Sequence, residues 1–151
     1  LNDDNRRNLQ VNPPIRSSED CLFLLDALRK GQIDYLATDH APHTIEEKLS
    51  GKGISGMPQL DTYGLFVNWL IKEQGVKPET ILKICCTNPG EYFNRYMNTK
   101  LGKIEVGYAA RFTVIDNSVS TLVRKEGLKT KCKWSPFEGV NFSGRIKVLK
   151  F

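Results

Sequence analysis

The two histidines of this chain lie together in the segment Asp39-His40-Ala41-Pro42-His43. A carboxylate such as that of Asp39 is a hard oxygen donor that can bind a divalent metal ion or carry a proton. Histidines can bind a metal ion or, when protonated, an anion. Pro42 prevents a helix between the two histidines, so they need not point the same way. The same residues also fit a turn in which Asp39 accepts backbone hydrogen bonds, and the spacing leaves both interpretations open.

The elements around this segment place it at the end of a strand. Residues Ile33–Thr38 are short and mostly apolar, which predicts a buried strand of a parallel sheet. In folds with such sheets the chemistry lies at the carboxyl ends of the strands. The long loop from Thr44 to Pro58 is rich in Gly and Lys, and its length indicates a functional role. Asn12 is either a turn residue before a proline or a polar group aimed into a cleft.

Helices are predicted through the first two thirds of the chain and strands through the rest. Ser17 and Asp20 have the spacing of a helix start, and that helix is expected to stop near Gly31. Three further helices are predicted over residues 60–74, from Pro78 to about Thr87-Asn88-Pro89, and over about Gly90–Tyr96. The expected strands are Phe112–Asp116, Leu122–Arg124 and Ile146–Leu149. This order predicts an α/β unit followed by a β unit.

Composition excludes several classes of protein. The chain has 151 residues, of which 40% are apolar and 26% charged, as in soluble globular proteins. No apolar run approaches the roughly 18–20 residues of a membrane span, and the polar first ten residues do not form a signal peptide. A complete (β/α)₈ barrel typically needs about 250 residues, so the length excludes a whole barrel. A chain that starts at Leu1 is expected to be processed or cut from something longer.

The charge is unevenly distributed along the chain. Residues 1–96 carry 11 basic and 13 acidic side chains, whereas residues 97–151 carry 11 basic and 4 acidic ones. The break near residue 97 predicts two structural regions. The basic region raises the possibility of nucleic-acid binding, but no RNA- or DNA-binding signature is present, and a solvated strand face is the favoured interpretation.

The four cysteines, Cys21, Cys85, Cys86 and Cys132, form neither a Cys-x-x-Cys pair nor a zinc-finger pattern. Scattered thiols without a secretion signal predict a reducing, cytoplasmic setting. Each cysteine is expected to be a buried packing residue.

Several ordered motifs together resemble the C-terminal part of the dihydroorotase family, within the amidohydrolase superfamily. The most specific is the run DHAPHT followed by EEK. The matching stretches are Val11–Ser17, Ala37–Lys48, Gly56–Thr62, Asn88-Pro89, Leu101–Asp116 and Ser135–Gly139. The family often has Gly at position 59, Glu at 61 and Asp at 111, where this chain has Gln59, Asp61 and Arg111.

The resemblance implies an α/β fold, a metal-bearing (β/α)₈ TIM barrel with a small β-sandwich. Residues 1–98 would form the C-terminal part of the barrel, with Leu36–Thr38 in the eighth strand. Residues 99–151 would form the C-terminal strands of the sandwich. These bounds agree with the charge break found above.

The resemblance also implies a reaction, the interconversion of N-carbamoyl-L-aspartate and L-dihydroorotate in pyrimidine biosynthesis. A zinc-bound hydroxide would attack the ring amide carbonyl, because the metal lowers the pKa of water and polarises the carbonyl. Asp39 matches the metal-bound catalytic aspartate that carries the proton from the hydroxide to the leaving nitrogen.

The resemblance assigns substrate-binding roles to four further residues. Asn12 and His43 match positions that hold the substrate carboxylate. The backbone of Ser55 and Gly56 matches the segment that hydrogen-bonds the pyrimidine ring. His40 matches no functional position, so a structural role is expected for it.

The other metal ligands of the family, four histidines and a carboxylated lysine, would all lie upstream of this chain. We therefore expect this chain alone to hold no binuclear zinc centre and to be inactive. The alternative hypothesis is a non-catalytic dihydroorotase-like subunit that acts as a scaffold for aspartate carbamoyltransferase. The expected partners are the small-molecule substrate, a second copy in a homodimer and aspartate carbamoyltransferase, with no nucleic acid and no membrane.

Overall fold

A computed structural model describes residues 8–151, so the first seven residues of the expected barrel region lie outside it. Within this range the elements are α1 (Ser18–Arg29), α2 (Ile45–Leu49), α3 (Tyr63–Lys72), α4 (Pro78–Leu82), α5 (Asn88–Phe93), β1 (Arg111–Leu122) and β2 (Asn141–Lys150). None of the helices in this part of the chain has the length and apolar character needed to cross a bilayer.

Helix α1 begins where the sequence predicts. The Ser17 hydroxyl accepts a hydrogen bond from the backbone N–H of Asp20, and the Asp20 carboxylate accepts one from the backbone N–H of Ser17. This reciprocal pair satisfies two N–H groups that a helix start leaves without partners. The helix ends before Gly31, whose φ of 71° is a conformation that glycine adopts without strain.

The helices after residue 60 form two continuous units. A 3₁₀ turn, Leu60–Thr62, leads directly into α3, which agrees with the helix predicted over 60–74. Helix α4 runs through a π-helical turn, Lys83–Thr87, into α5. The predicted break at Asn88-Pro89 is therefore wrong. Pro89 lies in the first turn of α5, where its missing N–H and fixed φ are tolerated.

Strands β1 and β2 form an antiparallel hairpin. Arg111 pairs with Lys150 and Asp116 with Arg145, and the register then shifts before Ser120 pairs with Ser143. The strand predicted over Leu122–Arg124 is wrong beyond Leu122, where β1 ends. The chain leaves the hairpin there and enters a 3₁₀ turn, Lys125–Gly127.

The predicted strand Ile33–Thr38 forms no strand ladder within the described residues. A parallel strand needs a neighbour on at least one side, and residues 8–151 provide none. The segment is instead held by α3 and the π-helical turn. The backbone N–H of Leu36 donates to the Ile84 carbonyl at 3.4 Å, and the Tyr63 hydroxyl donates to the Leu36 carbonyl at 2.7 Å.

Helix α3 lies between two apolar clusters. On one side it packs with α1, α4 and the π-helical turn, around the cluster Leu28, Val67, Leu70, Val76, Ile81 and Ile84. On the other side it packs against β2, around the cluster Leu65, Val123, Leu128 and Phe142. Trp69 contacts both clusters. Full burial of a side chain such as Ile84 stabilises the folded state by about 1.5–3 kcal/mol. Because α3 contributes residues to both clusters, it joins the helical region to the hairpin.

The cysteines differ from expectation. All four are free thiols, but Cys21 and Cys86 are exposed, and Cys85 and Cys132 are only partly buried. The prediction that each is a buried packing residue is therefore wrong. Cys21 is exposed near the start of α1, as are Leu22 and Phe23.

Candidate functional site

Asp39 has an unusual backbone conformation and a free carboxylate. Its φ is 45°, in the left-handed region that aspartate tolerates better than most residues, but at some cost in energy. The side chain is exposed and has no hydrogen-bond or ion-pair partner among residues 8–151. The alternative interpretation, in which the Asp39 carboxylate accepts backbone hydrogen bonds within a turn, is therefore wrong for the described residues. Strained, exposed polar residues of this kind concentrate at functional sites.

His40 has a structural role. Its Nδ1 accepts hydrogen bonds from the backbone N–H groups of Gln59 and Leu60, each at 3.1 Å. The backbone around His40 also pairs with Met57, and the adjacent Ala41 N–H donates to the Met57 carbonyl at 3.0 Å. These contacts fix the end of the long loop against the Asp39 segment, as expected for a histidine with no place in the chemistry.

His43 lies immediately before the start of α2. Thr44 and Glu47 form a capping box there, in which the Glu47 carboxylate accepts from the Thr44 N–H at 2.9 Å. The same Glu47 oxygen lies 3.5 Å from His43 Nδ1. The imidazole is about 39% exposed, so it can both reach a ligand and stay close to this carboxylate.

Lys48 is buried, with only 3% of its surface exposed. Its ammonium donates to three backbone carbonyls, those of Gln10 at 2.7 Å, Ile54 at 2.9 Å and Gly56 at 2.9 Å. Burial lowers the pKa of Lys48, while the three carbonyls favour its charged form. Lys48 belongs to the matched stretch Ala37–Lys48, but its burial was not predictable, because one lysine in a five-residue helix carries no signal of burial.

Gly56 is required by its surroundings. Its φ is 128°, and a Cβ there would lie 2.5 Å from the Ala41 Cβ and 3.2 Å from the His43 ring. The Gly56 N–H donates to the Gln10 carbonyl at 3.0 Å. Among the described residues, the backbone N–H and C=O of Ser55 have no such partner. Ser55 and Gly56 were both predicted to hydrogen-bond a pyrimidine ring through their backbone. Gly56 uses its N–H and C=O within the chain, so Ser55 is the one of the two with free backbone groups.

Asn12 is exposed, and its side chain makes no hydrogen bond to another residue in the range 8–151. It lies two residues after Gln10, whose carbonyl accepts from both Gly56 and Lys48. Backbone contacts therefore join the three segments that carry the predicted residues: the segment before Asn12 through Gln10, the Asp39–His43 segment through Ala41, and the Ser55–Gly56 segment through Gly56.

Two of the residues that depart from the family pattern also have visible contacts. The Gln59 N–H donates to His40, and the Asp61 carboxylate accepts from the Thr130 N–H at 3.0 Å. Asp61 thus ties the loop before α3 to the segment between β1 and β2. Arg111 lies in β1, on the hairpin.

The donor set of the described residues does not by itself fit a zinc ion. Residues 8–151 contain no group of three His, Cys, Asp or Glu side chains placed to hold a metal. A zinc site needs at least three protein ligands, and the described residues around Asp39 do not supply that number.

A cavity of about 960 Å³ lies elsewhere in the described part of the chain. It is bordered by α3, α4 and the hairpin and is lined mainly by apolar side chains, among them Leu65, Ile81 and Ile146. None of the predicted site residues lines it. The candidate site is an open surface at the loops around Asp39.

Comparison with known proteins identifies the family. The amidohydrolase family matches residues 5–149, and this chain belongs to it. The chain is 41% identical over 132 residues to a dihydroorotase of Archaeoglobus fulgidus, covering 87% of this chain and 31% of that protein. It is 35% identical over 138 residues to a dihydroorotase of Clostridium botulinum, covering 91% of this chain and 33% of that protein. The chain thus spans about a third of the length of these relatives.

Solved structures agree with the family. The chain is similar to an L-hydantoinase (dihydropyrimidinase) from Arthrobacter aurescens, with a TM-score of 0.83, 28% identity and coverage of 97% of this chain and 35% of the other. It is similar to a D-hydantoinase from Thermus sp., with a TM-score of 0.84, 26% identity and coverage of 95% and 32%. The fold is accordingly that of the TIM-barrel amidohydrolases.

Proposed function

We propose that this chain is the C-terminal third of a dihydroorotase, which interconverts N-carbamoyl-L-aspartate and L-dihydroorotate. The observation that carries the proposal is the match to dihydroorotases across 87–91% of the chain, together with the exposed, unpaired carboxylate of Asp39. The comparisons give no support to the alternative of a non-catalytic scaffold.

In this proposal residues 1–98 are the end of the barrel, with Leu36–Thr38 in its eighth strand, and residues 99–151 are strands of a small β-sandwich. The change from helices to a hairpin supports this division. It also gives the unpaired Ile33–Thr38 segment its missing neighbours. The position of Asp39 directly after that segment is where catalytic residues of such barrels lie.

The proposed roles follow from the chemistry of each side chain. Asp39 accepts a proton from the attacking water and returns it to the ring nitrogen that leaves. His43, next to Glu47, and Asn12 bind the substrate carboxylate. The free N–H and C=O of Ser55 hydrogen-bond the ring amide, and Gly56 allows this close approach. A divalent metal, zinc in this proposal, would supply Lewis acidity when bound, with Asp39 as the ligand contributed by this chain.

The proposal is tested by replacing Asp39 in the complete enzyme. Asp39→Asn keeps the size of the side chain but removes the proton acceptor. Because general acid–base catalysis contributes typically about 10²–10⁴-fold, kcat for dihydroorotate hydrolysis should fall by at least about a hundredfold. Asp34→Asn, an exposed aspartate in the same segment, is the matched control and should leave kcat within about twofold. A normal kcat in Asp39→Asn would remove Asp39 from the reaction.

The assembly and setting of the enzyme belong to the same proposal. Exposed apolar side chains such as Phe23 and Tyr96, each 73% exposed, support a covered surface in a homodimer or in a complex with aspartate carbamoyltransferase. Four free thiols support a cytoplasmic setting. Light scattering of the complete enzyme, alone and with aspartate carbamoyltransferase, measures the mass that separates these assemblies from a monomer.

A further inference from the structure

Trp134 joins the segment between β1 and β2 to the candidate site. Its indole N–H donates to the backbone carbonyl of His43 at 2.7 Å, across 91 positions of sequence. The side chain is only 4% exposed, so water does not compete for this hydrogen bond. The sequence resemblance gives no role to Trp134.

The segment that carries Trp134 is itself held firmly. The hydroxyl of buried Ser135 accepts from the Phe137 N–H at 3.2 Å, and the Ser135 carbonyl accepts from the Glu138 N–H. The Phe137 ring packs against Phe142 of β2 with the ring centres 5.6 Å apart. The segment that carries Trp134 is therefore held against the hairpin by these hydrogen bonds and by the packing of Phe137.

His43 is fixed from three directions. Trp134 holds its carbonyl, the Glu47 carboxylate lies 3.5 Å from Nδ1, and Gly56 lies against the ring edge. Glu47 and Gly56 limit how the imidazole can move. The His43 carbonyl, at the peptide bond that leads into α2, is held across the molecule by Trp134.

We propose that Trp134 is a positioning residue for substrate binding, which sets the place of the His43 imidazole by holding the backbone of that residue. This rests on the proposed function, in which His43 binds the substrate carboxylate. Because binding and catalysis are sensitive to displacements of about 1 Å, loss of the indole donor weakens binding without any direct contact between Trp134 and substrate.

The test uses Trp134→Phe in the complete enzyme, which removes the N–H and keeps an aromatic ring. Loss of a hydrogen bond of this kind should raise the KM for dihydroorotate about three- to tenfold, with kcat changed less than about twofold. Trp69→Phe, at the other tryptophan of the chain, makes a similar change between the two apolar clusters. It should alter the unfolding midpoint but leave KM unchanged.

A double-mutant cycle separates positioning from a general structural effect. His43→Ala should itself raise KM, and adding Trp134→Phe to it should raise KM by less than about 1.5-fold more, since Trp134 acts through His43. If Trp134→Phe raises KM equally in both backgrounds, or leaves it unchanged where His43→Ala raises it, the inference is overturned while the proposed function stands. If His43→Ala leaves KM unchanged, the proposed role of His43 fails, and this inference fails with it.

A measurement on the unaltered enzyme keeps the inference testable if Trp134→Phe does not fold. The indole N–H of Trp134 should exchange slowly with deuterium, and its ¹H–¹⁵N resonance should shift when dihydroorotate is added. An indole N–H that exchanges within the dead time, or that does not respond to the substrate, would contradict the proposal.

Discussion

The ammonium of Lys48 donates a hydrogen bond to the carbonyl of Gly56 at 2.9 Å, beneath the loop that lies against His43. The same ammonium binds the carbonyls of Gln10 and Ile54. Lys48 thereby joins the segment of Gln10, 38 positions away in sequence, to the loop that carries Ile54 and Gly56. The short helix α2 thus carries a buried ammonium group, that of Lys48, which hydrogen-bonds to the loops of the candidate site.

Replacing Lys48 should therefore destabilise the protein. Lys48→Met keeps the length of the side chain but leaves three carbonyls without their donor. Since an unsatisfied buried group costs about 1–3 kcal/mol and some carbonyls will find water, we expect a loss of about 2–5 kcal/mol of unfolding free energy. Urea denaturation measures it. Lys52→Met, in the same loop but exposed, should stay within about 0.5 kcal/mol. Equal midpoints for the two variants would contradict the role given to Lys48.

A side chain at Gly56 should disturb His43 directly. In Gly56→Ala the new Cβ meets Ala41 and the His43 ring, so the KM for dihydroorotate should rise several-fold along with a loss of stability. Gly51→Ala is the control, because Gly51 also has a positive φ, 78°, but open space around it. It should cost only the conformational strain of about 1–2 kcal/mol, with KM unchanged. Equal changes of KM in Gly56→Ala and Gly51→Ala would contradict this prediction.

Asn68 should hold the hairpin against α3. Its buried Nδ2 donates to the Ser143 carbonyl at 2.7 Å and to the Asn117 side chain at 3.0 Å. Asn68→Ala leaves both acceptors without their donor, and the unfolding free energy should fall by about 2–4 kcal/mol. Thermal or urea unfolding checks this value. Asn141→Ala, an exposed asparagine of β2, should have little effect.

The contact between Tyr63 and Cys85 should make the protein less stable in alkali. Burial, and then the hydrogen bond between Tyr63 and Cys85, raise the pKa of the Tyr63 hydroxyl above its ordinary 10.0, and burial raises the pKa of Cys85 above 9.0. A raised pKa of an acid means that the folded state holds the proton more tightly. The resulting stability is complete below the ordinary pKa and is lost as pH rises through the folded value.

Tyr63→Phe tests this contact. At pH 7 the variant should lose about 1 kcal/mol, because the hydroxyl no longer donates to the Leu36 carbonyl. Above about pH 10 its unfolding free energy should fall less steeply with pH than that of the unaltered protein. Urea denaturation at a series of pH values gives both quantities. Parallel pH profiles would show that the hydroxyl titrates as in the unfolded chain.

Local features were predictable because their causes lie within a few residues. Ser17 and Asp20 stand three positions apart, and this spacing alone defines the capping box at the start of α1. The role of His40 also followed expectation. The predicted strand at Ile33–Thr38 failed because a strand exists only when a neighbouring strand supplies its hydrogen bonds, and no such neighbour lies in the described part of the chain.

The sequence by itself determined the family, through the ordered motifs around Asp39, and the start of α1, but not that of α2, which lies within the predicted loop from Thr44 to Pro58. It could not show that Lys48 is buried, that Ser55 rather than Gly56 has free backbone groups, or that Trp134 reaches His43. Each of these depends on contacts between residues that are distant in sequence, such as the 91 positions between Trp134 and His43. Such contacts are decided by how the loops and the hairpin pack together, and only the tertiary structure contains that information.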